Sequence, residues 1–386
     1  MTGTTGDWGL LPGGPASRAL GVPTESREKL TSLRAAMGEA DVDAVYLEDW
    51  ANVAWLCGGR GNRVVLDEPT GLCGILVGHN GAWLLVANNE EARCRAEAFR
   101  GLDLPVIVQP WYRMPLFLAS RPLLPPGAVI IADVAVDGEQ PGAAALLSKL
   151  RARLGEAEME RYRALGQDAA TALEAAVTEA RPTWTELEVA GTIAAALKAY
   201  DIEGKVILVG NLERAETFRH FVPTGAGVDR GFVASITATR HGLHASCTRT
   251  IAFQAPPPLL AERLEVVLDV DRVYLTGSRP GARLDQLLDA GARTYARHGF
   301  YDEWKEHHQG GTTGYGGRES FAIPGNDYVL EAGNAVAWNP TVPGAKSEDT
   351  FAVHAAGLEW LTRAPGSEWP LDEGDGKLPR PRLNVL

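Results

Sequence analysis

Cysteine is scarce in this sequence: Cys57, Cys73, Cys94 and Cys247 are scattered through 386 residues, with no Cys-x-x-Cys pair. That scatter argues against a disulfide framework or a cysteine-held zinc and suits reduced thiols in a cytoplasmic protein. No apolar run reaches the roughly 18 residues that a membrane-spanning helix needs, and the Gly- and Thr-rich start has neither the apolar stretch nor the cleavage pattern of a secretory leader. Blocks of Lys and Arg are missing as well. The 37 basic residues are spread among 49 acidic ones, for a net charge of −12, which argues against nucleic acid and anionic membranes as partners. What is present is an ordinary globular composition, 45% hydrophobic and 22% charged. The length exceeds the roughly 250 to 300 residues at which single cores stop growing, so about two domains are expected.

Residues 1–24 read as a flexible arm. The spacing of Leu30, Leu33 and Met37 predicts a helix, and Ala44-Val45-Tyr46-Leu47 a buried strand. Strand-like runs at 74–77, 82–86, 105–108 and 128–132, with helical sequence around 90–99, predict an α/β layered domain over residues 25–154. A long helical pattern then opens at Gly155 and is stopped by Pro182, after which Thr185 stands as N-cap of a helix running towards Tyr200. Strands around 205–209 and 231–239, and helices over 257–268 and 283–298, give residues 155–365 an α+β character. The Pro/Gly/Asp-rich residues 366–386 are expected to lie along the surface as a C-terminal tail.

The densest chemistry lies between His307 and Thr350. His307, His308, Arg318 and Glu319 crowd among glycines, followed by Asn339-Pro340 and Lys346-Ser347-Glu348-Asp349-Thr350. Glycine lets backbone and ligand approach closely while imidazole, guanidinium and carboxylate supply proton transfer and charge. A Gly-rich turn can also be only a turn.

Several motifs follow one another in a telling order: the long helix before Pro182, Thr185-Glu186-Leu187-Glu188, His220-Phe221-Val222-Pro223-Thr224, Gly242 with Thr248-Arg249-Thr250, the 310–319 segment and Glu348-Asp349-Thr350. Together they resemble the superfamily of creatinase, aminopeptidase P, prolidase and methionine aminopeptidase. The resemblance implies an α+β chain, with a pita-bread catalytic domain over residues 155–365 preceded by a creatinase-type α/β N-terminal domain that includes Asn52 to Gly58.

The resemblance also implies two divalent metals held by Asp, Asp, His, Glu and Glu, ligands that bridge the ions and hold a water between them. At the matching positions stand Ser235, Ser246, Gly311, Asn339 and Glu348, so no metal or other cofactor is expected. A shifted alignment brings His307 or His308 near the place of the ligand histidine. His220 matches a substrate-contacting histidine of the metallo members and the general acid and base of metal-free creatinase. Its ordinary pKa of about 6.5 suits it to that exchange. Glu348 would hold a cationic group, orient His220 or activate water, or else pair with Arg249 or Arg318. Expected substrate contacts are His307, His308, Arg318, Glu319 and Asn339, with Arg60 or Arg63 reaching in from the partner of a creatinase-like homodimer. Tyr315 and Trp338 are read as an apolar wall or as core, and His241 and His244 as surface or structural residues. The expected function is metal-independent, creatinase-like C–N hydrolysis of a small polar substrate, with His220 and Glu348 catalytic. The alternatives are a lyase or isomerase on the same scaffold, an Xaa-Pro-type metallopeptidase, and a non-catalytic peptide- or protein-binding module like that in the large subunit of the FACT histone chaperone.

Overall fold

The computed structural model describes residues 23–136, 142–374 and 378–386, and the arm expected at residues 1–24 lies almost wholly outside them. The chain divides into two compact units, Met1–Arg151 and Ala152–Leu386. Among the described residues no helix is long and apolar enough to cross a membrane.

The first unit is built on one five-stranded sheet. Helix α1 (Thr24–Glu39) buries Leu30, Leu33 and Met37, the apolar stripe that its sequence spacing demands. Strand β1 (Ala44–Asp49) leads into α2 (Trp50–Leu56), whose first turn is capped by the Asp49 carboxylate, accepting from the Ala51 and Asn52 amides at 3.0 and 3.1 Å. There follow β2 (Thr70–Gly78), β3 (Ala82–Ala87), the short α3 (Glu91–Arg93), β4 (Val106–Gln109), β5 (Ile130–Ala132) and α4 (Ala144–Arg151). The order is β4-β3-β2-β1-β5, antiparallel at β1–β2 and β2–β3 and parallel at both edges. One face of it packs Tyr46, Leu76 and Leu85 against Phe117.

The second unit begins with α5 (Glu156–Thr178) and α6 (Glu186–Ala199). Thr185 is the N-cap its sequence predicts: its hydroxyl accepts from the Glu188 amide, and the Glu188 carboxylate accepts from the Thr185 amide at 2.7 Å. Such a reciprocal cap is worth about 1 kcal/mol. Next come β6 (Glu203–Asn211), α7 (Leu212–Thr217), β7 (Gly231–Arg240), β8 (Leu243–Ala252), α8 (Pro258–Gly277) and α9 (Leu284–Arg297). Strands β9 (Gly310–Thr313), β10 (Ser320–Phe321), β11 (Ala335–Trp338), β12 (Thr341–Val342), β13 (Ala345–Lys346), β14 (Asp349–His354) and β15 (Gly357–Trp360) complete the body. Two larger sheets result, one containing β8-β7-β6 and the other ordered β10-β9-β11-β14-β15. They join where the Thr248 amide donates to the Glu348 carbonyl at 2.9 Å and the Thr350 hydroxyl to the Ser246 carbonyl at 3.0 Å. The main core lies between α8, α9 and the second sheet, around Val267, Tyr274, Leu284, Tyr295, Trp338 and Phe351.

The C-terminal segment departs from the surface tail expected of it. Its hairpin β16–β17 (Leu371–Asp372 with Arg380–Pro381) sends Arg380 into the interior, and β18 (Asn384–Val385) pairs in parallel with β8. Arg380 Nε donates to Asp271 at 2.6 Å and Nη2 pairs with Asp349 at 2.9 Å. Arg249 joins the same buried network through Glu174 at 2.8 Å and Asp349 at 3.2 Å. The tail is polar in composition because part of its job is to carry one buried cation, which hydrophobicity does not reveal.

Candidate functional site

His220 is placed by a loop fastened to α6. The buried Glu186 carboxylate accepts from the Thr224 amide and hydroxyl at 2.9 and 2.7 Å and from the Asn211 amide at 2.8 Å, and it also pairs with Arg214. Just before His220, Arg219 forms an ion pair with Glu303, which ties this loop to the segment that carries His307 and His308. That segment has its own anchor in Gln309. Its amide donates to the His307 carbonyl at 2.8 Å, and its oxygen accepts from Tyr295 and Tyr274 hydroxyls at 3.0 and 3.3 Å.

Two loops 87 positions apart in sequence thus bring three imidazoles together. His307 Nε2 lies 3.2 Å from His220 Nε2, and the His307 and His308 rings stack with centroids 4.4 Å apart. His308 also meets the edge of Phe321 at 5.2 Å. One ring nitrogen from each histidine falls within 4.8 Å of the other two; His307 is buried, while His220 and His308 reach the surface. Burial pushes His307 down to about 2, assisted by Lys346 and its neighbouring imidazoles. His308 falls to about 4, first because much of its ring is packed away from water and then because Arg318 is near. His220 is lowered by partial burial and Lys346, against the opposing pull of Glu348. At neutral pH the cluster is therefore uncharged and rich in lone pairs.

Beside it lies an ionic group. Glu348 Oε1 accepts from Arg318 Nη2 at 2.8 Å, while Oε2 lies 3.4 Å from both Lys346 Nζ and Thr248 Oγ1. Burial would raise this carboxyl, but Lys346 and Arg318 outweigh it and hold Glu348 below its ordinary range. Two cations thus share one carboxylate among neutral rings, leaving an excess positive charge. Lys346 is a site residue to which its sequence motif alone assigns no role. Its signal was its place two residues before Glu348 in extended chain, where alternate side chains share a face.

The positions at which the family resemblance implies metal ligands do not build a dinuclear centre. Ser235 and Ser246 are spent on neighbouring hydroxyls, Ser235 with Thr248 at 2.7 Å and Ser246 with Thr237 at 3.0 Å. Gly311 has a φ of +147°, and a Cβ there would stand 2.0 Å from the Ser320 carbonyl, so no histidine fits that backbone. Asn339 is buried with Oδ1 unpartnered, and Glu348, the one carboxylate left, is neutralised by side-chain cations. A pair of dications needs more negative charge than one shared carboxylate supplies.

The other expected site residues have the following contacts. Glu319 accepts from the Gly316 amide at 2.8 Å and closes the Gly-rich turn. Arg60 donates to the Arg100 and Cys57 carbonyls at 3.0 and 3.2 Å, and Arg63 lies 4.5 Å over the Trp50 ring, both within the first unit. Arg249, weighed as a partner of Glu348, instead serves Glu174 and Asp349. Trp338 and Tyr315 are core: Trp338 stacks on Tyr274 at 4.4 Å, and Tyr315 donates to Glu158 at 2.8 Å. His244 is buried and His241 is exposed.

Comparison with known proteins agrees with this architecture. Residues 160–355 match the model of metallopeptidase family M24, and residues 29–165 that of the Creatinase/Prolidase N-terminal domain. A search of curated proteins gives no match. Among solved structures, the prolidase from Pyrococcus horikoshii OT3 is 20% identical, with a TM-score of 0.72 over 87% of this chain and 98% of its own. Dipeptidase PepE from Mycobacterium ulcerans is 20% identical, with a TM-score of 0.71 over 89% and 98%. The N-terminal domain of FACT complex subunit SPT16 from Cicer arietinum is 13% identical, with a TM-score of 0.61 over 89% and 97%.

Proposed function

We propose that this chain, which belongs to metallopeptidase family M24, is a hydrolase of small, polar, carboxylate-bearing substrates that works without the dinuclear centre implied by the family resemblance. The observation that carries this reading is the pairing of an accessible, neutral His220, held at 3.2 Å by buried His307, with the cationic Arg318–Glu348–Lys346 group. His220 takes a proton from the attacking water and returns it to the leaving nitrogen of a C–N bond, so that the imidazole ends as it began. The excess cation of the ionic group attracts the substrate carboxylate. Arg318 Nε, buried without a partner, is the donor left for it. Glu348 acts as a positioning residue that fixes Arg318 and Lys346, in place of the direct catalytic role its motif suggests.

The test is a turnover screen on full-length protein with dipeptides including Xaa-Pro, N-acyl amino acids and ureido or guanidino acids. The reading expects turnover of a carboxylate-bearing amide or amidine, loss of kcat in His220→Ala and a raised KM in Arg318→Ala. It fails if wild-type protein turns over none of them, or if His220→Ala is as active as wild type. Tight peptide binding without turnover would favour the binding-module alternative.

A further inference from the structure

The histidine cluster contains more donor atoms than proton transfer requires. A single general base needs one imidazole and one group to orient it, yet a third ring is stacked on His307 with its nitrogen in the same small volume. Imidazole nitrogen at about 2.0 to 2.1 Å is the common protein ligand for zinc-class ions, and a tetrahedral site then separates its nitrogens by about 3.3 Å. The His220 to His307 separation of 3.2 Å already matches that edge. The remaining nitrogens lie within 4.8 Å, and His308, which reaches the surface, completes the set of three.

We infer that His220, His307 and His308 form a binding site for one divalent ion of the zinc class. The site is displaced from the positions at which the family resemblance places metals, since none of its three ligands is one of Ser235, Ser246, Gly311, Asn339 and Glu348. Two features favour imidazole over carboxylate coordination. The Arg219–Glu303 pair and Gln309 fix the two loops from outside the cluster, as groups behind a metal site orient its ligands. The family's remaining carboxylate is already occupied by Arg318 and Lys346. The inference holds whether or not the protein turns over a substrate. If both readings hold, zinc competes with the proton for the His220 lone pair and inhibits the hydrolysis.

The experiment uses full-length protein without a polyhistidine tag, stripped by chelator and titrated with zinc by calorimetry and with cobalt(II) by visible absorption. One ion per chain is expected, with the d–d bands of low-coordinate cobalt. His308→Ala, a surface change, should weaken binding by more than the about 10- to 100-fold that loss of an outer-shell partner costs. The metal-free variant should keep its unfolding midpoint, which separates ligand loss from misfolding. His307→Ala should do the same to binding. The inference is overturned by absence of binding, by affinity that His308→Ala leaves intact, or by binding that is abolished by Glu348→Gln but not by the histidine variants. Stoichiometric binding without inhibition would leave the metal site standing and remove His220 from the proposed proton transfer. Inhibition cannot occur through this site if no ion binds, so the two readings fail separately.

Discussion

Glu348 and Asp349 are adjacent carboxylates at the start of one strand, and they do opposite work. Alternation along extended chain turns them to different faces. Asp349, 1% exposed, meets Arg249, Arg380 and Thr362, and its oxygens lie 2.8 to 3.2 Å from the closest donor atoms of these three. Glu174 and Asp271 supply the rest of the counter-charge, so two arginines are matched by three acids. Glu348, 6% exposed, has one short bond to Arg318 and a longer contact to Lys346, with two cations to one acid. The saturated face locks the two sheets and the C-terminal segment together. The under-compensated face keeps a positive potential beside three neutral imidazoles, which is the condition for binding something.

The largest effect should come from breaking the saturated face. Asp349→Ala leaves Arg249 and Arg380 facing each other across a cavity, and removing one member of a buried ionic network costs about 3 to 5 kcal/mol. Denaturant unfolding should show that loss, whereas a cost below about 1 kcal/mol would mean that the network is not structural. The mirror experiment is His220→Ala on the other face. Its ring is exposed, so stability should change by no more than about 0.5 kcal/mol, while kcat on the substrate found by screening should fall by about 10²-fold or more. A change of the reverse kind, stability lost and turnover kept, would erase the distinction between the faces.

How much of this was written in the sequence can be seen residue by residue. The strands and long helices were legible because Leu30, Leu33 and Met37, or Leu284, Leu287 and Leu288, repeat at the spacing of one buried face. Thr185 was legible because a cap is a local contract with Glu188, three residues on. The crowding of His307, His308 and Arg318 was legible as composition. The convergence of His220 on His307 was not, because it depends on Arg219 finding Glu303 and on Gln309 finding Tyr295, contacts between residues distant in sequence. Arg380 was unreadable for the same reason: an arginine in a Pro-rich tail carries no local mark of the two aspartates it will meet.

A milder change tests whether the imbalance at Glu348 is real. Glu348→Gln strands Arg318 and Lys346 without a counter-charge and should cost about 2 kcal/mol of stability. The double change Lys346→Met with Glu348→Gln should recover part of that loss, because one stranded cation is removed with its partner. If the double variant is no more stable than the single one, Lys346 is not paired with Glu348 in solution.

The smallest expected effect involves a partly buried carboxylate, in the first unit, that is held by hydrogen-bond donors with no ion pair to a cation among the described residues. Asp133 accepts from the Glu48 amide at 2.8 Å and the Asn52 side chain at 2.9 Å, and burial outweighs these bonds and pushes it up to about 7. Neighbouring Glu48 is raised as well, again by burial. A carboxyl with a higher pKa folded than unfolded keeps its proton longer in the folded chain. Its stabilising contribution is therefore complete below the ordinary carboxylate range and is lost as pH rises through about 7. Amides of β1, whose Glu48 and Asp49 amides Asp133 accepts from, should lose on the order of 1 to 2 kcal/mol of protection between about pH 5.5 and pH 7, after correction for intrinsic exchange. Asp133→Asn should flatten that slope. A protection free energy that rises over this interval would show that cations, not burial, govern Asp133, and that the contrast drawn from Glu348 and Asp349 does not extend to the first unit.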